Sequence, residues 1–300
     1  MTGAGRGIGR AYARLLTARG ARVVVNDLGG SIDGTGEDAQ PAQHVVGEIV
    51  AAGGTAIADT HDVSTTAGAE KLVATAVDAF GRLDVLINNA GIMRWAGLPE
   101  LDAAALAKHL AVHVEGSFNT ARAAWPRMVD QNYGRIVMTT SAGMFGLPKN
   151  TSYAAAKGGV VGLTRSLATA GAQHDIKVNA IAPAAWTRMA GAAIDSGEME
   201  AAMSPDLVAP MAAFLAHEHC PVTGEIYAAG AGRFARVFIA STPGYVHGDA
   251  APTIEDVAAN WDAINDETGY VVPGDLNAWS ASFMAHLRLR GSRPASGQEN

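Results

Sequence analysis

The chain has 300 residues, 48% of them hydrophobic and 17% charged, a formal net charge of −7 and one cysteine. That apolar content excludes a disordered chain, a lone Cys220 excludes an intrachain disulfide framework, and the acidic balance argues against nucleic acid as the main partner. No apolar run reaches the roughly 18 residues of a membrane span, and no basic, apolar leader opens the chain, so a soluble, cytoplasmic protein is expected.

Helical and strand patterns alternate from the start. Arg10 to Arg19 reads as a helix, Ala21 to Asn26 as a buried strand, and Pro41 to Ala52 as a helix with Val45, Val46, Ile49 and Val50 on one face. Thr55 to Ala58 reads as a strand, Ala67 to Phe80 as a helix, and Leu83 to Asn88 as a strand. A long helical region from Asp102 to Met128 is interrupted near Gly116. Then come a strand (Gly134 to Thr140), a helix (Thr151 to Ala172), a strand (Ile176 to Ile181), a helix (Pro205 to Ala216) and a last strand (Glu225 to Ala229). Such alternation predicts a doubly wound parallel α/β sheet of Rossmann type, with helices on both faces. The near-continuous apolar strands fit a sheet buried on both faces. The alternation stops near Gly232. Residues 233–300 hold two expected helices, Thr253 to Ile264 and Leu276 to Leu287, and the last ten residues read as a disordered tail. The expected division is therefore 1–232 for the dinucleotide-binding and catalytic domain and 233–300 for a helical extension.

A doubly wound sheet begins with a strand that feeds a glycine loop. Here Met1, Thr2 and Gly3 already lie in that loop, so the first strand is missing and a start upstream of Met1 is expected.

The loop is Thr2-Gly3-Ala4-Gly5-Arg6-Gly7-Ile8-Gly9. Glycines permit tight turns and close backbone approach, and a helix N-terminus offers free N–H groups to a pyrophosphate. Alone, such a loop could also be a surface turn. Asp27 follows eighteen residues after Gly9. A carboxylate at that distance binds adenosine ribose hydroxyls and repels a 2′-phosphate, which favours NAD over NADP, unless it simply starts a turn. Asn88-Asn89-Ala90-Gly91 ends a strand with small residues that let a ligand lie across the edge. Tyr153 and Lys157 stand four apart on a helix. An ammonium there lowers the phenol pKa, making the pair a general acid/base for alcohol–ketone interconversion; an exposed helix pair is the plainer alternative. Ser141, twelve residues before Tyr153, could hold the substrate oxygen, with Thr140 as second choice.

These motifs, in this order, resemble the short-chain dehydrogenase/reductase family over about residues 1–232. The longer stretches NDLGG (26–30), AFGRLDVLINNAGIMR (79–94), GSFNTARAAWPRM (116–128) and YGRIVMTTSAG (133–143) are similar to the (3R)-hydroxyacyl-CoA dehydrogenase units of peroxisomal multifunctional enzymes. GAGR (230–233) and IEDVAANWDAI (254–264) carry that likeness to about residue 265. The resemblance implies an NAD-dependent enzyme acting on a 3-hydroxyacyl-CoA, with a steroid or a 3-ketoacyl thioester as alternative substrates. A non-catalytic binding protein that keeps the fold is the alternative of another class. By the resemblance Tyr153 exchanges the proton, Lys157 lowers its pKa and holds the nicotinamide ribose, and Ser141 orients the carbonyl. The cofactor would lie on Gly3, Gly5, Arg6, Gly7, Ile8, Gly9, Asn89, Ala90, Gly91, Tyr153, Lys157 and Pro183. Asp27 would bind the adenosine ribose, Asp62 and Val63 the adenine, and Thr187 the nicotinamide carboxamide. Family members are usually homodimers or homotetramers, packed through the helices that here span 102–128 and 151–172.

Some positions depart from the family pattern. His113 stands where many members carry Asn, and it could relay a proton because histidine titrates near neutrality, or simply pack. Ala184 replaces the usual Gly after Pro183. The stretch with Pro148, Lys149 and Asn150 is expected to alter the substrate mouth, and residues 189–204 to form a lid or a connection. His217, His219 and Cys220 lack a second pair at ligand spacing, so no metal is expected.

Overall fold

A computed structural model describes residues 1–190, 197–248 and 250–287. The expected tail and residues 191–196 of the expected lid lie outside the described residues. The chain divides into two compact units, Met1–Val237 and Phe238–Asn300.

The first unit is an α/β sandwich. Its strands are β1 (Arg22–Asn26), β2 (Thr55–Asp59), β3 (Val85–Asn88), β4 (Gly134–Thr139), β5 (Ile176–Ala184), β6 (Ile226–Gly230) and β7 (Arg233–Val237). Its helices are α1 (Gly7–Ala18), α2 (Gln40–Ala51), α3 (Thr66–Phe80), α4 (Ala103–Leu110), α5 (Gly116–Gln131), α6 (Thr151–Gly171), α7 (Gly197–Ala202) and α8 (Ala209–Leu215). Local chemistry sets the ends. Thr65 caps α3 by accepting from the Gly68 N–H, and Gly81, at φ 77°, closes it in the left-handed conformation. The expected interruption near Gly116 is a π-helical turn over Ala111–Glu115, so α4 and α5 run on without a break.

The strands form two hydrogen-bonded sets, β1-β2 and β3-β4-β5-β6-β7. All pairs are parallel except β6-β7. The antiparallel β7 was not anticipated. It pairs along β6 from Gly230–Arg233 to Ile226–Val237, which moves the unit boundary from residue 232 to 237.

Residues 1–4 stand where the first strand of such a sheet belongs. Asn26 N donates to Met1 O at 3.0 Å and Ala4 N to Asn26 O at 2.9 Å on one side; Thr2 N donates to Ile87 O at 3.0 Å on the other. This short stretch joins the two sets. Beyond it, β1 and β3 flank a cavity of about 320 Å³ walled by Val23, Val24, Leu72, Val73, Ala76 and Leu86. The Met1 ammonium donates to Val24 O at 3.0 Å at the cavity's end, and burial lowers its pKa to about 6.

The core fills both faces of the sheet. Ile136, Met138, Val178 and Ile226 pack with Ala124, Met128 and Val160 on one side. Ile87, Val137 and Ile181 pack with Tyr12, Ala212 and Leu215 on the other.

The second unit contains α9 (Ile254–Ala259), α10 (Trp261–Asn265) and α11 (Leu276–Phe283). The helix expected from Thr253 to Ile264 is broken at Asn260, and the last helix ends four residues earlier than expected. A Thr253–Asp256 capping box starts α9. None of these three helices buries a residue; Ser241 and Val271 pair across the unit, and the Phe238 and Tyr270 rings stack at 6.0 Å.

Candidate active site

The site occupies the C-terminal edge of the parallel strands, where open α/β sheets bind ligands. One cleft, of about 200 Å³, is lined by Gly3, Asp27, Asp62, Val63, Ala90 and Gly91 among others. Gly3 adopts φ +60°, and a Cβ there would stand 2.7 Å from Ala90 Cα, so only glycine lets the loop lie this close to the end of β3. Thr2 locks the two together: its Oγ1 accepts from Asn89 N and Ala90 N, both at 3.0 Å. The Asn89 side chain donates to Gly3 O at 2.9 Å and Thr2 O at 3.2 Å, so its amide braces the loop. Asp27 accepts from Gly5 N at 2.9 Å and Gly29 N at 2.7 Å, which fixes its carboxylate at the end of β1. Asp62 Oδ1 accepts from Ser64 N at 2.9 Å, and Val63 is buried beneath the same wall.

Arg6 occupies the N-cap of α1 without a side-chain capping bond, leaving the first N–H groups of the helix free for an anion. Ile8 packs into the core, and Gly9 is buried behind the loop. Thr187, after Pro183 on β5, faces Gly7 from the opposite lip. These features fit a dinucleotide: a glycine cradle that added side chains would fill, free N–H groups for the pyrophosphate, and a fixed carboxylate at the ribose end.

The second group of residues lies beside that cleft. Ser141 follows β4 and caps the turn Ala142–Phe145, its Oγ accepting from Gly143 N at 3.0 Å. Tyr153 and Lys157 project from the first turns of α6, 8% and 3% exposed, so the pair is not a solvated helix face. Burial raises the Tyr153 pKa, and a hydrogen bond with Ser141 opposes that rise. Lys157 Nζ donates to Thr139 O at 2.7 Å, and burial lowers its pKa to about 7. Lys157 is not among the causes of the Tyr153 shift. Nζ stands 5.5 Å from the Tyr153 ring centroid, and desolvation of the phenol dominates. Thr140, the second candidate hydroxyl, is buried and donates to Lys157 O at 2.8 Å, a role inside the scaffold.

His113 sits on the π-helical turn, its ring edge-on to Tyr153 at 5.4 Å between centroids. Its Nε2 lies 2.9 Å from Ile92 O, and its buried Nδ1 has no partner. Burial and the nearby Lys157 hold its pKa well below the ordinary value, which favours the packing reading of His113 over a near-neutral titrating relay. A Cβ on Gly91 would stand 2.7 Å from His113 Cε1, which explains glycine at that position. His109, stacked on His113 at 5.9 Å, was missed; its i, i+4 spacing with His113 was the available signal. Asn150 is buried and ties the mouth together, accepting from Leu147 N at 2.7 Å and donating to Gly143 O at 3.1 Å.

No helix among the described residues is long and apolar enough to cross a membrane. Residues 1–196 match the family model for short chain dehydrogenase. The chain is 42% identical over 91% of its length to a Mycobacterium tuberculosis protein assigned to the short-chain type dehydrogenases/reductases, 96% of which is covered. It is also 42% identical over 89% of its length to mouse peroxisomal multifunctional enzyme type 2, but spans only 36% of that enzyme. Among solved structures, full-length peroxisomal multifunctional enzyme type 2 from Drosophila melanogaster matches with a TM-score of 0.80 and 32% identity, over 96% of this chain and 48% of that one. A short chain dehydrogenase from Mycobacterium avium matches with a TM-score of 0.74 and 36% identity, over 88% and 94%. The chain therefore belongs to the short-chain dehydrogenase/reductase family, enzymes that use NAD(P).

Proposed function

We propose that the chain is an NAD-dependent dehydrogenase that oxidises the secondary alcohol of a 3-hydroxyacyl-CoA to the ketone. The observation that carries this reading is the meeting of Ser141, Tyr153 and Lys157 beside the dinucleotide cleft. The carboxylate of Asp27, held by two backbone N–H groups at the ribose end, supports NAD over NADP. The likeness of the stretches quoted above to (3R)-hydroxyacyl-CoA dehydrogenase units of peroxisomal multifunctional enzymes supports the acyl-CoA.

When bound, the dinucleotide supplies the hydride acceptor. The chain's own residues handle the oxygen and its proton. Ser141 Oγ, already in hydrogen-bonding reach of the phenol, holds the substrate hydroxyl against Tyr153. Tyr153 as phenolate takes that proton as the carbonyl forms. Lys157, titrating near 7, holds or yields a proton at physiological pH, with Thr139 O fixing its Nζ. His113 and His109 wall the site, their rings stacked on each other and His113 edge-on to Tyr153.

The test is NADH formation by the purified chain on a panel of (3R)- and (3S)-3-hydroxyacyl-CoAs and steroid alcohols, with NAD and NADP compared. Turnover of a 3-hydroxyacyl-CoA with NAD supports the reading. Turnover of steroids alone, or with NADP alone, overturns its substrate or its cofactor.

A further inference from the structure

We propose that an apolar rim formed by Trp95, Leu98, Phe145 and Leu147 carries the acyl tail of the substrate and gives the enzyme a preference for longer over short 3-hydroxyacyl-CoAs. The proposal rests on the 3-hydroxyacyl-CoA reading above.

The four residues lie on two loops that follow neighbouring strands, one after β3 and one after β4. The loops are joined. Ala96 and Asn150 form a parallel bridge, and a Cβ on Gly97 would collide with Pro148 O, so the two backbones meet at a glycine. Leu98 and Leu147 each adjoin that contact. Both loops are also fastened to the surroundings of the phenol. A Cβ on Gly143, on the turn that ends in Phe145, would stand 2.8 Å from Tyr153 Cε1. Arg94 N, just before Trp95, donates to His109 Nε2 at 3.3 Å, and the His109 ring stands edge-on to Tyr153 at 6.4 Å between centroids. The rim is therefore continuous with the walls of the Tyr153 site, on the edge of the sheet where ligands bind.

The exposure of these side chains does not come from a loose backbone. Leu147 N donates to Asn150 Oδ1 at 2.7 Å, and Asn150 N donates to Leu147 O at 3.1 Å. Gly146 N donates to Gly143 O at 3.1 Å and Leu101 N to Gly97 O at 2.8 Å. On this fixed frame the four side chains are between 51% and 77% exposed. Large apolar side chains held out together in this way mark a surface that is covered in use. A hydrocarbon tail fits the chemistry: only the Trp95 indole among the four offers a hydrogen bond. It also fits the position, because the tail of a 3-hydroxyacyl group begins at the carbon bonded to the one that Tyr153 serves, and so needs apolar cover directly beside the phenol.

The test is steady-state kinetics with NAD on 3-hydroxybutyryl-CoA and 3-hydroxydecanoyl-CoA, using the full chain, W95S, F145S/L147S and F145L/L147M. Wild type is expected to favour the decanoyl substrate in kcat/KM by about tenfold or more, since a fully buried CH2 is worth about fourfold and a half-covered one about twofold. W95S and F145S/L147S are each expected to cut that preference by about fivefold or more, through KM and not kcat, because a tail contact is made alike in ground and transition states. F145L/L147M, which stays apolar, is expected to keep it. Equal losses on both substrates would mean that these residues only brace the loops, and overturn the proposal. So does a wild type that turns over both substrates without favouring the longer one, or a preference that survives both serine variants. Were such a surviving preference joined by a change in oligomeric state, the rim would belong to a second copy of the chain. A wild type that binds NADH but turns over no 3-hydroxyacyl-CoA overturns the underlying reading as well, and is thereby distinguished from failure of the rim alone.

Discussion

The Lys157 ammonium lies over the Tyr153 ring, with Nζ 5.5 Å from the ring centroid, and donates to Thr139 O at 2.7 Å. Both groups resist charge there. Burial raises the phenol pKa and brings the lysine down to about 7.

Lys157 consequently weakens the fold at neutral pH. Between its folded pKa of about 7 and the ordinary 10.5, the unfolded chain binds a proton that the folded chain lacks. Stability should rise with pH across that window and level off below pH 7. K157M removes the titration, so it should unfold at higher temperature than wild type at pH 7, by on the order of a few kcal/mol, while losing activity. Thermal unfolding of both proteins from pH 6 to 10 checks this; equal pH slopes would contradict it.

Asp27 braces Gly5 and Gly29, and in the proposed function it also discriminates at the ribose end. D27S should lower stability by about 1–3 kcal/mol, through loss of two charge-assisted hydrogen bonds. It should also narrow the preference for NADH over NADPH. Chemical denaturation and the ratio of the two dissociation constants read these separately.

The slot between β1 and β3 has strand walls, an apolar lining and a volume of about 320 Å³. An extension of about five Val- and Ile-rich residues ahead of Met1 should fill it and stabilise the chain by on the order of a few kcal/mol. A Gly-Asp extension of the same length should not. Differential scanning calorimetry of the two chains gives the comparison.

Asn150 is 1% exposed and clips Leu147 N to Gly143 O, the turn that Ser141 caps. N150A should cost about 1–3 kcal/mol by leaving both backbone groups unpaired. Activity should fall further than stability explains, because the Ser141 turn loosens, and kcat measured well below the unfolding temperature separates the two effects.

Much of this fold was legible because each element carries a local signal. The branched runs at 22–26, 85–88 and 176–181 and the caps at Thr65 and Gly81 fix strands and helices without reference to the rest of the chain. The strand Arg233–Val237 was not legible, since its alternating, half-exposed pattern makes sense only once β6 offers an antiparallel edge. At the site, the spacing of Tyr153 and Lys157 on α6 puts both on one face. The sign of the phenol shift was not legible, because it depends on burial by His109 and His113 and on where Nζ points. Asn89 looks like a ligand contact in sequence, but its amide is engaged by Gly3 and Thr2, more than eighty residues away along the chain.

The most direct measurement is turnover and NADH affinity of Y153F beside wild type, on a (3R)-3-hydroxyacyl-CoA with NAD. In the proposed mechanism Tyr153 exchanges the substrate proton and does not hold the cleft's glycine loop, so Y153F should bind NADH with nearly wild-type affinity and lose turnover by at least about a hundredfold. A Y153F chain that binds NADH and turns over at a rate close to wild type would contradict the assignment of Tyr153 as the acid/base.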